Sequence, residues 1–175
     1  MCVRGDVEGE AMAASASFEE FYAATVGRLL GHLFLVTGDL HAAEEIVQEA
    51  FTRASLRWAH LRDYDVPEAW VRRVAMNLAT DRARSLRRQT RALLKLGPPP
   101  AVPSVSVETL ALVQALRTLP VQQRQAIVLH YLVDLPVAEI AQTLGVPHGT
   151  VKSLLARGRR LLATTLGESE VIDRA

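Results

Sequence analysis

LPVAEIAQTLGVPHGTVKSLLARGRRLL, residues Leu135 to Leu162, decides the fold. It divides into two helical stretches around a tight turn. The first runs from about Pro136 to Leu144, with Pro136 at the opening turn, where a missing N–H leaves no bond unmade. Gly145 supplies the backbone freedom that a sharp corner needs, and Pro147 opens the second helix. At about 100° per residue, Val151, Leu155, Gly158 and Leu162 fall on one side of that helix. Gly149, Ser153, Arg157 and Arg160 fall opposite, with Thr150 and Lys152 on the flanks. An apolar stripe thus glues the helix down while small, polar and cationic groups point outward from its N-terminal half. A recognition helix in the major groove needs the same things: close approach, phosphate-binding cations and hydrogen-bonding side chains. An ordinary amphipathic helix with a solvated charged face has a similar pattern. The glycine corner and the apolar helix before it favour the helix-turn-helix.

Working outward, Ala and Leu are abundant and β-branched alternation is absent, so the fold class is all-α. The expected architecture is two small helical domains joined by a Pro-rich flexible linker, the C-terminal one containing the helix-turn-helix. Residues 1–16 read as a disordered leader, without the apolar core of a secretory signal. No apolar run approaches the ~20 residues that a bilayer span requires, so no membrane insertion is expected. Cys2 is the only cysteine, which excludes an internal disulfide or a thiolate zinc cluster and fits a cytoplasmic protein. Net charge is +1, but the charges are segregated. Asp39 to Glu49 carries four acids and no Lys or Arg, whereas Trp70 to Leu96 carries eight Lys or Arg against the single Asp81. Two basic faces for nucleic acid and one acidic face for another partner follow from that asymmetry.

In chain order, Phe18 to Val36 is apolar at helical spacing, with Ser17 placed as its N-cap. A second helix is expected from Leu40 to Trp58, burying Ile46, Val47, Ala50 and Phe51 and exposing Glu44, Glu45, Gln48 and Glu49. After a polar loop, His60 to Val66, Pro67 starts a third helix that runs to about Leu94. Val71, Val74, Ala75 and Leu78 share one face of it; Arg73, Asn77, Thr80, Arg84, Arg87, Arg88 and Arg91 share the opposite one. Like charges repeated along one face repel by a few tenths of a kcal/mol per pair, a cost that a bound polyanion offsets. GPPPAVPSVSV, between Gly97 and Val107, reads as an extended linker. The expected division is residues 17–95 and 107–168 as domains, 96–106 as linker and 169–175 as a frayed tail. Such a linker permits the two domains to move independently.

Three segments in this order, GDLHAAEEIVQEAFTRA, PEAWVRRVAMNLATDRARSLRR and the run from Leu116 through Leu162, give the chain a resemblance to bacterial extracytoplasmic-function RNA polymerase sigma factors. That resemblance implies a region-two domain for the promoter −10 element and a region-four domain for the −35 element. It implies core RNA polymerase as partner, through the β′ clamp coiled coil and the β flap, with promoter DNA and an anti-sigma factor as further partners. It places polymerase binding on Glu44, Glu45, Gln48 and Glu49, and capture of a flipped base on the loop from Arg57 to Val66. It puts −10 DNA on Asn77, with Arg73, Arg84, Arg87 and Arg88 on phosphates. It puts −35 DNA on Pro147, Gly149, Thr150, Lys152, Ser153 and Arg157. Trp70 reads better as a core anchor between helices than as a melting wedge.

Three positions depart from the pattern of that family. Leu154 stands where an Arg is usual, His130 stands where another Arg is frequent, and Gln89 to Val107 lacks the acids common in such linkers. A different class, a helix-turn-helix regulator acting on duplex DNA alone, needs neither the acidic helix nor the Asn-bearing basic one. Enzyme chemistry has little support. There is no Gly-rich phosphate loop, and His32, His41, His60, His130 and His148 lack the spacing of a metal site. No cofactor or metal is expected.

Overall fold

The computed structural model describes residues 17–92 and 107–172. The expected leader with Cys2, the linker over 96–106 and the last three residues lie outside them. Among the described residues every regular element is a helix: α1 (Phe18–Thr37), α2 (Leu40–Ser55), α3 (Trp58–Leu61), α4 (Pro67–Ala92), α5 (Val107–Arg117), α6 (Val121–Tyr131), α7 (Val137–Leu144) and α8 (His148–Ile172). The all-α class holds.

Local chemistry sets the boundaries. Ser17 and Glu20 form a reciprocal capping box: the Ser17 hydroxyl accepts from the Glu20 N–H and the Glu20 carboxylate accepts from the Ser17 N–H. At the far end of α1, Gly38 takes φ 72° and its N–H donates to the Phe34 carbonyl at 2.7 Å. Asp39 then caps α2 by accepting from the Ala42 N–H at 3.0 Å. The second helix ends at Ser55, short of the expected Trp58. The reason is aromatic: Trp58 turns into a separate short helix and stacks on Phe21 at 4.9 Å, with Phe18 edge-on at 5.5 Å.

Among the described residues one core is continuous from the N-terminal half to the C-terminal half. Leu33, Leu61 and Met76 from the N-terminal half and Leu116, Leu129, Ile140 and Val151 from the C-terminal half are fully buried members of one apolar cluster. Each such side chain contributes about 1.5–3 kcal/mol by leaving water. α1 packs on α5 and α6, while α4 packs on α6 and α7. This changes the expectation for the third helix. α4 is covered from two sides, so Arg72, Met76 and Ala79 are buried along with Val71 and Ala75. Thr80, expected on the open cationic face, is half-buried. At the other end of the chain, α8 continues to Ile172, past Gly167, where the sequence suggested fraying.

Candidate nucleic-acid interface

α7 and α8 make the expected corner. Gly145 takes φ 66°, its N–H donating to the Ala141 carbonyl, and Val146 N–H bonds that same oxygen at 3.0 Å. The Pro147 carbonyl accepts from Thr150 and Val151, starting α8 with its free N–H groups pointing outward. Val151, Leu155 and Gly158 are buried and Leu162 half-buried, matching the apolar stripe. Gly158 is the point of closest approach: a Cβ there would lie 2.9 Å from Cγ1 of Ile127 on α6. Pro147, Gly149, Thr150, Lys152, Ser153 and Arg157 all lie exposed on the first three turns. The side chains of Lys152, Arg157 and Arg160 have no ion pair or hydrogen-bond partner among the described residues. Arg159 is tied to the Tyr131 hydroxyl at 3.2 Å. The Ser153 hydroxyl donates to the Gly149 carbonyl at 3.0 Å, so it must turn outward to serve a ligand.

The two replaced cations have structural explanations. Leu154 is half-buried against the core and lines a 280 Å³ cleft between α4 and α8. His130 uses Nδ1–H to donate to the Leu135 carbonyl at 3.1 Å, with its ring edge-on to Tyr131 at 4.7 Å. It therefore fastens the α6–α7 turn, where Asp134 takes the left-handed φ of 58°.

The basic face of α4 is less uniform. Arg73, Asn77, Arg84, Arg87 and Arg88 are all exposed, as expected. Arg84 lies 3.6 Å from Asp81, a solvated pair of little energetic weight. Asn77 and Arg84 line the same cleft as Leu144, Val146 and Leu154 of the helix-turn-helix. A second cleft holds Tyr64, Val66, Trp70 and Arg73 opposite Glu139, Gln142 and Thr143 of α7. Trp70 is half-buried against the core, with the Arg57 guanidinium 5.8 Å over its ring, so it anchors helices and walls a cleft at once. Arg72 was not singled out by the sequence. It is 7% exposed and its Nε has no partner.

On α2, Glu44, Glu45, Gln48 and Glu49 share an exposed face. Two of the acids are already engaged: Glu45 with Arg82 at 2.6 Å and with His41 at 3.4 Å, Glu49 with Arg53 at 2.7 Å. Glu44 has no partner among the described residues. Periodicity gives the face but cannot give Arg82, which comes from another helix. Among the described residues no His, Cys, Asp or Glu cluster could hold a metal ion.

The fold and the site together define a helix-turn-helix protein with exposed cationic faces on α4 and α8 and an exposed acidic face on α2. The family description "Sigma-70 region 2" matches residues 21–89, and "Sigma-70, region 4" matches residues 109–162. The chain is 33% identical over 172 residues to the extracytoplasmic-function sigma factor SigL of Mycobacterium tuberculosis, covering 93% of this chain and 96% of that one. It is 31% identical to SigW of Bacillus subtilis, covering 76% and 80%. Its match to SigM of Mycobacterium tuberculosis is 36% identical over 126 residues and spans 64% of that protein's length. The chain belongs to the extracytoplasmic-function RNA polymerase sigma factor family. Among solved structures, the sigma factor RpoE of Bartonella quintana shares the fold, with TM-score 0.69 at 22% identity over 86% of this chain and 96% of that one. SigJ of Mycobacterium tuberculosis aligns with TM-score 0.60 at 26% identity, over 83% and 53%.

Proposed function

We propose that this chain is a promoter-specificity subunit of RNA polymerase, with no catalytic step of its own. The observation that carries the reading is the start of α8. A helix N-terminus, small residues and unpaired cations stand exposed there on a helix whose other face is locked into the core. Pro147, Gly149, Thr150, Lys152, Ser153 and Arg157 meet the −35 duplex, small residues allowing approach while Lys152 and Arg157 supply charge. Asn77 reads −10 DNA through its amide, with Arg73, Arg84, Arg87 and Arg88 on phosphates. The cleft of Tyr64, Val66 and Trp70 is the receptor for an extruded base, whose unstacking costs a few kcal/mol that ring contacts must return. Glu44, Glu45, Gln48 and Glu49 dock on the β′ clamp coiled coil, and the C-terminal half reaches the β flap.

RpoE of Bartonella quintana was solved with the anti-sigma factor NepR, and by that likeness an anti-sigma factor is a further partner. No described helix is long and apolar enough to cross a membrane, and a subunit of this kind works in the cytoplasm where DNA and polymerase are. The test is run-off transcription with core polymerase. Start sites set by this chain are expected. Duplex binding in the absence of any polymerase-dependent initiation would instead make it a stand-alone regulator.

A further inference from the structure

Arg72 is a buried cation to which the described residues give no counter-charge. It is 7% exposed, its Nε is sealed from solvent, and its guanidinium makes no hydrogen bond or ion pair with any described group. Glu68, the carboxylate one turn back on α4, is taken by Arg28 at 2.9 Å. A buried charge in that state is strongly unfavourable until an anion meets it. Arg72 lines the cleft between α4 and α7, which has a volume of 210 Å³. Thr143 of α7 lines it from the other side; it is 6% exposed, and its hydroxyl also has no hydrogen-bond partner among the described residues. Trp70 and Tyr64 bring two aromatic rings to the same space. Arg73 and Glu139, both exposed, complete the charges, so the lining carries two positive groups against one negative.

We infer that this cleft is a binding site for a small aromatic anion, a ring bearing a single carboxylate or phosphate head. The guanidinium fork of Arg72 matches either head with parallel N–H donors, and the Thr143 hydroxyl adds a donor from α7. The ring lies against Trp70 and Tyr64, where stacking suits any flat π surface. Size sets one limit. At ~30 Å³ per water, the 210 Å³ cleft holds the volume of about seven waters, room for one ring and one head group but not for a whole nucleotide. Charge sets the orientation. An adjoining outer cleft is bordered by Asp63, Asp65 and Glu139, so the head group goes inward to Arg72 and a chain of further phosphates is repelled. The arrangement of donors does not depend on whether Tyr64 and Trp70 also receive an extruded base. A ligand held by both α4 and α7 binds the folded chain and not the unfolded one, and so stabilises it.

The full-length protein is titrated by calorimetry with benzoate and phenyl phosphate, and with benzyl alcohol and inorganic phosphate as the ring and the head group alone. Benzoate or phenyl phosphate should bind with a Kd on the order of 1 mM or below, within reach of a well-placed ligand of about ten atoms, and should raise the Tm. A preference between them identifies the head group. Benzyl alcohol and inorganic phosphate should each bind at least about tenfold more weakly. Arg72→Met keeps the length of the side chain and removes its charge, so it should weaken anion binding by about tenfold or more. Thr143→Val should weaken it by about two- to tenfold. Without ligand, the Tm of Arg72→Met should equal or exceed that of wild type, because no partner is lost with the charge. Four results would overturn the site: no probe bound by wild type, affinity unchanged in Arg72→Met or in Thr143→Val, inorganic phosphate bound as tightly as phenyl phosphate, or an Arg72→Met Tm well below wild type. Core polymerase takes no part in these titrations, so the site and the sigma-factor reading fail independently.

Discussion

Gly158→Ala tests whether α8 is held against α6 as closely as the structure describes. The new Cβ would lie 2.9 Å from Cγ1 and 3.3 Å from Cδ1 of Ile127, and 3.7 Å from Cβ of Gln123. Carbon pairs prefer about 3.5–4.0 Å, so the helices must separate or Ile127, which is 5% exposed, must leave its rotamer. Overpacking of this size costs about 1–3 kcal/mol, and the better helix propensity of Ala returns about 1 kcal/mol. The expected net loss is about 1 kcal/mol, or a Tm lower by about 2–4 °C for a chain of this size. The sign alone is not decisive, so the assay is a double-mutant cycle. Ile127→Ala alone should cost about 2–5 kcal/mol, but it removes the two atoms that the new methyl crowds, leaving only Gln123 Cβ at an ordinary contact distance of 3.7 Å. In thermal or urea unfolding, the double variant should therefore be more stable than the sum of the singles by about 1–2 kcal/mol. Additivity within about 0.5 kcal/mol would show that the methyl meets nothing, and the close α6–α8 approach that orients Thr150 and Lys152 would be refuted.

Charge reversal should separate Glu44 from its neighbour. Glu44→Lys is expected to weaken core-polymerase binding on a native gel with Tm unchanged, whereas Glu45→Lys also loses the pair with Arg82 and about 0.2–1 kcal/mol of stability. Equal Tm values for the two would contradict that pairing. Arg157→Ala should weaken −35 duplex binding by about 1–3 kcal/mol if it contacts a base edge, and spare transcription from a premelted template. Asn77→Ala should do the reverse, and one shared defect at one step would end the division of labour between α4 and α8. Arg84→Ala should lower affinity for all sequences and reduce the salt slope by about one. Burial, with Arg72 and then Arg28 adding repulsion against the opposing Glu68, holds His32 below its usual 6.5. The folded state therefore takes up its proton later than the unfolded one. Stability from His32 is complete above pH 6.5 and is lost as pH falls through the lower folded value, so His32→Gln should flatten that part of a Tm–pH curve.

Much of this was legible in the sequence because the signals are local. Ser17 with Glu20, Asp39, Pro67, Gly38 and Gly145 each satisfy or forbid particular backbone hydrogen bonds, and helix ends obey them. The exposed face of α8 was equally legible, since one side of that helix is core and the other is solvent, so periodicity alone assigns every position. α4 was read half correctly for the opposite reason. It is covered from two sides by elements distant in sequence, so Arg72 and Thr80 lie inward although their neighbours look cationic and solvated. The pairing of Glu45 with Arg82 and the departure of Trp58 from α2 toward Phe21 are likewise contacts between helices. Composition and spacing within one helix hold no information about them.

Arg124 has a consequence for which sequences this fold can accept. One planar group reaches three carbonyls: Val36 through Nη1, and Leu119 and Arg117 through Nη2. These oxygens lie near the C-terminal ends of α1 and α5, where the helix dipoles leave negative charge. A lysine offers one compact ammonium on a flexible stem and cannot span that arrangement. With its pKa near 10, Arg124 keeps its charge at neutral pH, so a neutral residue fails there as well. Position 124 touches no DNA in the proposed complex, yet drift there is closed to the usual conservative exchange. In a set of relatives sharing this interhelix junction, arginine at 124 should persist where the surrounding surface of α6 varies freely.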